Sequence, residues 1–373
     1  MGLVNFHCEA TCGQARAGVI RSRRGTVATP AFMPVGTQAS VKALTPAEVE
    51  DTGARMVIMN TYHLWLRPGP EVVRSQGGLH EFSRWPHAIV TDSGGYQAYS
   101  LAQRTRLTED GFLFASHLDG ERLHLSPEES MRVQGLLGSD VAMQLDVCPA
   151  AGASAEELER AVRLTTRWAE RCLDARRDGQ ALFGIVQGGL DERLRRQHAE
   201  ALAALPLDGL ALGGFSVGEP RDAMHRTLRV VAPALDPARV RYLMGVGTPA
   251  DIVRAVGSGI DLFDCVLPTR NARNGQVFVR DGKLMIRNRR HRADPGPLEP
   301  GCPCPTCSAG FSRAYLRHLY LAGEILAHRL LTLHNLHFFQ QLVAEAREAV
   351  LSDTFPVWSQ ARLSRLEQPE ETE

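Results

Sequence analysis

The sequence predicts an α/β protein: a closed (β/α)8 TIM barrel with a C-terminal metal-binding subdomain. Short apolar runs recur along the chain, several ending on Asp or Gln, as buried parallel strands at a working face would. Helix-start signals lie between them, and strand–helix alternation argues for a parallel sheet with crossover helices. Three cysteines then crowd into six residues near the C-terminus.

Seven strand candidates stand out, at 56–60, 88–91, 141–145, 182–186, 209–212, 242–244 and 261–263. The eighth is the least marked and is assigned to 36–43. Ser126-Pro127-Glu128-Glu129 supplies an N-cap, a proline at the first helical position and a capping-box glutamate. Ser154-Ala155-Glu156-Glu157 opens a helix with Leu158, Ala161, Val162, Trp168, Ala169 and Cys172 on one face. Thr248-Pro249-Ala250-Asp251 opens another. An open doubly wound sheet would want a phosphate loop by its first strand, and none is present. Gly-Gly pairs at 94–95, 188–189 and 213–214 follow strands, where backbone must turn sharply or approach a ligand. Helix-like sequence covers 312–351, and the acidic tail 367–373 is expected to fray. The chain is therefore read as one catalytic barrel domain over 1–373, with the metal-binding subdomain at about 280–350.

With 373 residues, 44% hydrophobic and 23% charged, the chain can bury a large core. Lys+Arg and Asp+Glu balance at 42 each, so any nucleic-acid site must be a local patch. No apolar run has the length of a membrane span, and the N-terminus lacks the features of a signal peptide. A cytoplasmic location is expected, where structural disulfides are rare. Cys8, Cys12, Cys148, Cys172 and Cys265 are scattered and need no pairing.

Cys302, Cys304 and Cys307 are close enough to wrap one tetrahedral ion. An iron–sulfur cluster would normally want a fourth cysteine. A histidine would complete a closed structural zinc site. His334 is one choice, with His318, His328 and His337 as alternatives.

Asp92 and Asp264 each end an apolar run, and two carboxylates at one site suit glycosidic chemistry. One attacks the anomeric carbon while the other moves the proton. Asp146 and Gln187 are different. A carboxylate accepts two N–H donors, and an amide both donates and accepts. Together they match the edge of a guanine-like base, and Gly214 offers its backbone N–H. A basic run from Arg270 to Arg292 includes Arg273, Lys283 and Arg287 and holds one acid, Asp281. Placed between Asp264 and the cysteines, it reads as a phosphate-contacting track.

These residues resemble the bacterial tRNA-guanine transglycosylase (queuine tRNA-ribosyltransferase) family over nearly the whole chain. The resemblance is carried by Thr29-Pro30-Ala31-Phe32-Met33-Pro34-Val35-Gly36-Thr37, by Asn60-Thr61-Tyr62-His63-Leu64 and by Met244-Gly245-Val246-Gly247-Thr248-Pro249. The segments around Asp92, Gln187, Gly214, Asp264 and the cysteines match as well. The resemblance implies an enzyme of queuosine biosynthesis that exchanges guanine at the wobble position of tRNAs with a GUN anticodon for a 7-deazaguanine. In it Asp264 is the nucleophile at C1′ and Asp92 the general acid/base. Asp146, Gln187, Gly214, Ser93 and Met244 would hold the base. Arg270, Arg273, Lys283 and Arg287 would contact tRNA, and Cys302, Cys304, Cys307 and His334 would bind one Zn2+. A homodimer joined through the zinc subdomain is also implied, with no membrane partner.

Departures bear on the incoming base. Leu145-Asp146-Val147-Cys148 replaces the usual bacterial Phe-Asp-Glu-Cys and is more like the eukaryotic queuine enzyme. Phe215 replaces a common Leu. Val217 follows the bacterial pattern, where the eukaryotic enzyme has Gly. The bulk of Val217 favours the smaller preQ1 over queuine. A queuine-inserting enzyme of the same family and a non-catalytic accessory subunit are the alternatives, and retention of Asp92 and Asp264 speaks against the latter. A barrel glycoside hydrolase would not need the base-binding set. An archaeal-type enzyme would carry further C-terminal RNA-binding domains.

Overall fold

The computed structural model describes residues 3–101 and 103–367. Strands β1 (Asn5–Cys12), β2 (Ala15–Ser22) and β3 (Gly25–Thr29) form an antiparallel sheet. Four barrel segments follow: β4 (Ala31–Met33), β5 (Val35–Gly36), β6 (Met56–Met59) and β7 (Ala88–Thr91). A second antiparallel sheet, β8 (Gln103–Leu107), β9 (Phe112–Ala115) and β10 (Arg122–Leu125), interrupts the barrel. It resumes with β11 (Val141–Met143), β12 (Ala181–Val186), β13 (Gly209–Leu212), β14 (Val240–Leu243) and β15 (Leu262–Asp264). A hairpin of β16 (Gln276–Val279) and β17 (Gly282–Met285) comes after it.

The parallel sheet has the order β4-β15-β14-β13-β12-β11-β7-β6-β5. Its two end segments, β4 and β5, are one strand divided at Pro34. Proline has no N–H for the ladder, yet the Pro34 carbonyl still accepts the Ile58 N–H at 3.1 Å. The sheet thus closes into a barrel of eight strands. This corrects the assignment of 36–43: only Gly36 of that segment is in a strand, and the barrel strand lies at Ala31–Met33 and Val35–Gly36. The two three-stranded antiparallel sheets and the β16–β17 hairpin come in addition to the expected barrel strands.

Alternation along the strands sorts side chains into two cores. Met56 and Ile58, Ala88 and Val90, Val141 and Met143, and Phe183 and Ile185 belong to the barrel interior. Val57, Ile89, Ala142, Leu182, Leu210 and Phe263 belong to the layer between strands and helices. Val4, Ile20 and Val27, from β2, β3 and the residue before β1, join the interior group and fill one mouth of the barrel. Phe183 occupies the space beside Gly209, where a Cβ would come within 2.6 Å of its ring.

The helix starts form as expected. Ser154 and Thr248 make full capping boxes with Glu157 and Asp251, each cap contributing about 1 kcal/mol. Ser126 caps its helix through the Glu129 N–H, but the Glu129 carboxylate is taken by Arg132 instead of completing the box. The helix-like stretch 312–351 is two helices, Arg313–Leu321 and Ile325–Leu351. The long one joins two cores. Ala327, Leu330 and Leu331 pack with the cysteines and the β16–β17 hairpin, while Phe339 meets Phe32 of β4 at 4.8 Å between ring centres. No helix among the described residues is long and apolar enough to cross a membrane. Glu367 ends the described chain, so the tail beyond it lies outside the described residues.

Candidate active site and metal centre

Asp92 follows β7 directly, and Asp264 is the last residue of β15. Both continue the inward parity of their strands. Gln187 continues that of β12. Asp146 does not follow the same rule. The expected strand 141–145 ends at Met143, Leu145 turns into the outer layer, and Asp146 faces the other way. Side chains of the helix Ala155–Ala175 hold this irregular stretch: Leu145 N–H donates to Cys172 Sγ at 3.4 Å and Val147 N–H to Thr165 Oγ1 at 3.0 Å.

Asp92 is nearly inaccessible, at 7% exposure. Its Oδ1 accepts the Thr61 N–H at 2.8 Å, and its Oδ2 accepts Asn60 Nδ2 and, at 3.0 Å, Gln97 Nε2. All three donors are neutral. Burial raises its pKa to about 6; the hydrogen bonds oppose this, and the Asp264 charge adds to it. Asp264 Oδ1 accepts the Tyr242 hydroxyl at 2.5 Å and the Gly245 N–H at 2.7 Å. Burial raises this carboxyl too, against both donors.

Asp146 Oδ2 accepts Gln187 Nε2 at 2.6 Å. Burial raises Asp146 to about 6, with the Asp92 charge adding to the effect. The Oε1 of Gln187 is buried with no protein partner, which leaves an acceptor for a ligand. Gly213 and Gly214 press on the same amide: a Cβ at Gly214 would lie 2.4 Å from Oε1, and Gly214 has φ +67°. Only glycine fits there. Behind Gln187, His198 Nδ1 accepts its backbone N–H at 2.9 Å.

Ser93 is buried, its hydroxyl accepting the Gly95 N–H at 3.3 Å. Met244 is half-buried against the barrel interior. Arg270 and Arg273 lie on the helix Leu267–Arg273, immediately after Asp264. Arg270 is exposed, whereas Arg273 folds back onto the Thr269 carbonyl at 2.9 Å. Lys283 on β17 and Arg287 just beyond it are exposed. Asn60, Gln97, Tyr242 and Arg195 were not singled out in the sequence, though Asn60 does end a recognised strand candidate.

The arrangement offers two carboxyls for attack and proton transfer, beside a carboxylate–amide pair with free acceptor capacity. It lies at the carboxyl ends of the strands, as in other barrels of this kind.

Cys302, Cys304, Cys307 and His334 place their ligand atoms within 4.8 Å of one another. His334 Nδ1 is 3.8, 3.4 and 3.5 Å from the three sulfurs in turn. A tetrahedral zinc with ordinary Zn–S and Zn–N bonds would set these edges at about 3.6 Å. His334 Nε2 is 2.8 Å from the Phe278 carbonyl, and donating there leaves Nδ1 free as the ligand. The donors therefore fit one zinc ion, and His334 is the histidine of the set. Four protein ligands leave no open position, so the ion's contribution is structural.

A family model described as queuine tRNA-ribosyltransferase matches residues 10–368. The chain is 63% identical to the queuine tRNA-ribosyltransferase of Sorangium cellulosum over 359 residues, covering 96% of this chain and 91% of that protein. It is 51% identical to that of a Ruegeria species over 358 residues, 95% of both chains. It is 50% identical to that of Neisseria meningitidis serogroup A over 359 residues, 95% of this chain and 96% of that one.

Proposed function

The chain belongs to the queuine tRNA-ribosyltransferase family, and from that premise we propose how its residues divide the work of base exchange. It is a tRNA-guanine pentosyltransferase of queuosine biosynthesis, acting on tRNA and on guanine or a 7-deazaguanine. The observation that carries the detailed reading is the convergence of Asp92, Asp264 and the Asp146–Gln187 pair at one end of the barrel.

The substrate is tRNA with a GUN anticodon, whose guanine at position 34 leaves its stack to enter the pocket. Asp146 takes the N1–H and 2-amino group of the base, while the second N–H of Gln187 Nε2, not given to Asp146, and the Gly214 N–H serve O6. Ser93 and Met244 line the same space. Both hydrogen bonds to Asp264 fall on Oδ1, which leaves Oδ2 to attack C1′. The C1′–N9 bond breaks as the C1′–O bond forms, and guanine takes a proton from Asp92. A pKa near 6 suits a group that must give a proton and then take one back. The incoming base loses its N9 proton to Asp92, attacks C1′ and releases Asp264. Cys302, Cys304, Cys307 and His334 would hold zinc, which would tie the cysteine segment to the long helix and take no part in these steps.

Arg270, Arg273, Lys283 and Arg287 contact the tRNA backbone. The bulk of Val217 favours preQ1 as the incoming base. The chain is one catalytic domain with a zinc-binding subdomain, and it works in the cytoplasm, where its substrate is. Leu321 and Ile325, 57% and 78% exposed on that subdomain, support a homodimer joined there.

The test is incorporation of labelled guanine, preQ1 and queuine, offered separately, into a GUN transcript and a G34→A control. Incorporation that requires G34 and prefers preQ1 is expected. Incorporation of no base by folded, zinc-loaded protein would overturn the catalytic reading in favour of an accessory subunit. Preference for queuine would overturn the choice of base alone.

A further inference from the structure

Arg195 is the largest buried charge beside the proposed base pocket, and the proposed steps leave it without a task. It lies on the helix Glu192–Ala203, which follows β12, and is 0% exposed. Its guanidinium donates three hydrogen bonds, all to backbone carbonyls: Nε to Gly189 at 2.6 Å, Nη1 to Val186 at 3.2 Å and Nη2 to Gly213 at 2.9 Å. Its Cζ lies 3.8 Å from the centre of the Phe215 ring. Among the described residues, no carboxylate forms an ion pair with it. A buried cation without a counter-charge is costly, and burial lowers its pKa to about 9. Packing alone would be served as well by an apolar side chain of similar volume.

The choice of carbonyls is informative. The Val186 carbonyl belongs to the peptide that begins Gln187, and the Gly213 carbonyl belongs to the peptide whose N–H is that of Gly214. In a trans peptide the C=O and N–H point opposite ways. Holding the Gly213 carbonyl towards Arg195 therefore turns the Gly214 N–H away from it, to the side where the reading above places the base. Two successive glycines would otherwise let this peptide rotate freely. A donor on the carbonyl also polarises the N–H of the same peptide.

We infer that Arg195 is a positioning residue for base exchange. It fixes the Gly213–Gly214 peptide with its N–H directed at O6 of the base. It also sets a positive charge behind that donor, where negative charge collects as C1′–N9 breaks and the electron pair moves onto the purine and its O6. The stabilisation grows with that charge, as transition-state catalysis requires. The inference rests on the base-pocket reading, and its test separates the two.

The probes are guanine and 2-aminopurine, which keeps the 2-amino group but lacks both O6 and the N1–H. Dissociation constants for both are measured with the wild-type and Arg195→Gln proteins, alongside zinc content and affinity for the tRNA transcript. Arg195→Gln is expected to weaken guanine binding about 10-fold or more and 2-aminopurine binding less than about 3-fold. Single-turnover release of guanine from tRNA should slow by at least as much as guanine binding weakens, with tRNA affinity unchanged. Equal loss for the two bases would make Arg195 a plain packing residue and overturn the inference, as would no loss for either. A wild-type protein that does not distinguish the two bases would instead overturn the base-pocket reading. If Arg195→Gln does not fold, Arg195→Lys is measured in the same way. Lysine keeps the charge without the fork that spans three carbonyls, so a smaller loss confined to guanine is expected, and a loss shared by both bases counts against the inference.

Discussion

Strands β7 and β11 lie side by side and parallel in the barrel, and each carries a buried aspartate at one end. Asp140 stands just before β11, and Asp92 just after β7. They are similarly covered, at 4% and 7% exposure. Asp140 meets Arg23 at 2.8 Å, His80 at 3.0 Å and the Ile89 N–H at 2.9 Å. Its carboxyl is held below the ordinary range, with burial opposed by His80, Arg23 and Ile89. Asp261, also at that end, is held by Arg16 through Nε and Nη2, yet its complete burial outweighs the cation and still raises its carboxyl. Asp92, Asp146 and Asp264 receive only neutral donors and one another's charge, and all three are raised. Similar burial thus yields opposite shifts at Asp140 and Asp92. Cations anchor the aspartates of one end and bring Asp140 below the ordinary range, while their absence leaves Asp92 and Asp146 able to bind a proton near pH 6.

The largest effect expected is from Asp264→Ala, which should reduce exchange by at least about 1,000-fold in single-turnover assays while tRNA affinity stays intact. Near-normal turnover would remove Asp264 from the nucleophile's role. Asp92→Asn should slow base release by about 100- to 1,000-fold. The wild-type rate of base release should fall as pH rises through about 6, because the acid form is lost, and the variant should lack that limb. A pH profile unchanged by the substitution would assign the proton to another group.

At the other end the effect should be on stability and not on chemistry. Asp140→Ala leaves His80 and the Ile89 N–H without their acceptor and should cost about 3 kcal/mol in denaturant unfolding, with exchange per folded molecule unaltered. Asp140 is lowered in the folded state, so its contribution is full above the unfolded pKa and disappears as pH falls through the folded one. The smallest effect has the opposite sign. Asp146 is raised to about 6, so its charge opposes folding at neutral pH, by at most about 3 kcal/mol. Asp146→Asn should therefore stabilise the free protein by about 1–2 kcal/mol at pH 7.5. The gain should fade as pH drops from 6 towards about 3, below which the wild-type carboxyl is neutral in both states. Loss of base binding should accompany it. Destabilisation at neutral pH would show that the Asp146–Gln187 bond outweighs the cost of the buried charge.

The active-site end of this comparison was legible before folding was considered, and the cation-bearing end was not. The strands at 88–91 and 182–186 show their boundaries because apolar runs stop where the backbone leaves the sheet, and Asp92 and Gln187 stand at those stops. Local chemistry likewise announces the caps at Ser154 and Thr248 and the cysteines at 302, 304 and 307, since each needs partners only a few residues away. The divided first strand was hidden because Pro34 interrupts the run that would have marked it. Arg195 and Tyr242 carried no signal, since an arginine in a helix and a tyrosine in a strand are ordinary until their neighbours are known.

The sequence by itself determined the alternation of strand and helix, the carboxylates at strand ends and the thiols of the metal centre. All of these follow from side-chain period and spacing along one stretch of chain. Only the tertiary structure decided which histidine completes the centre, which way Asp146 faces and which aspartates go without a cation. A side chain's pKa and orientation depend on groups within a few ångströms in space, and here those groups come from segments tens to hundreds of residues apart: Asn60 for Asp92, Arg16 for Asp261 and Arg23 for Asp140.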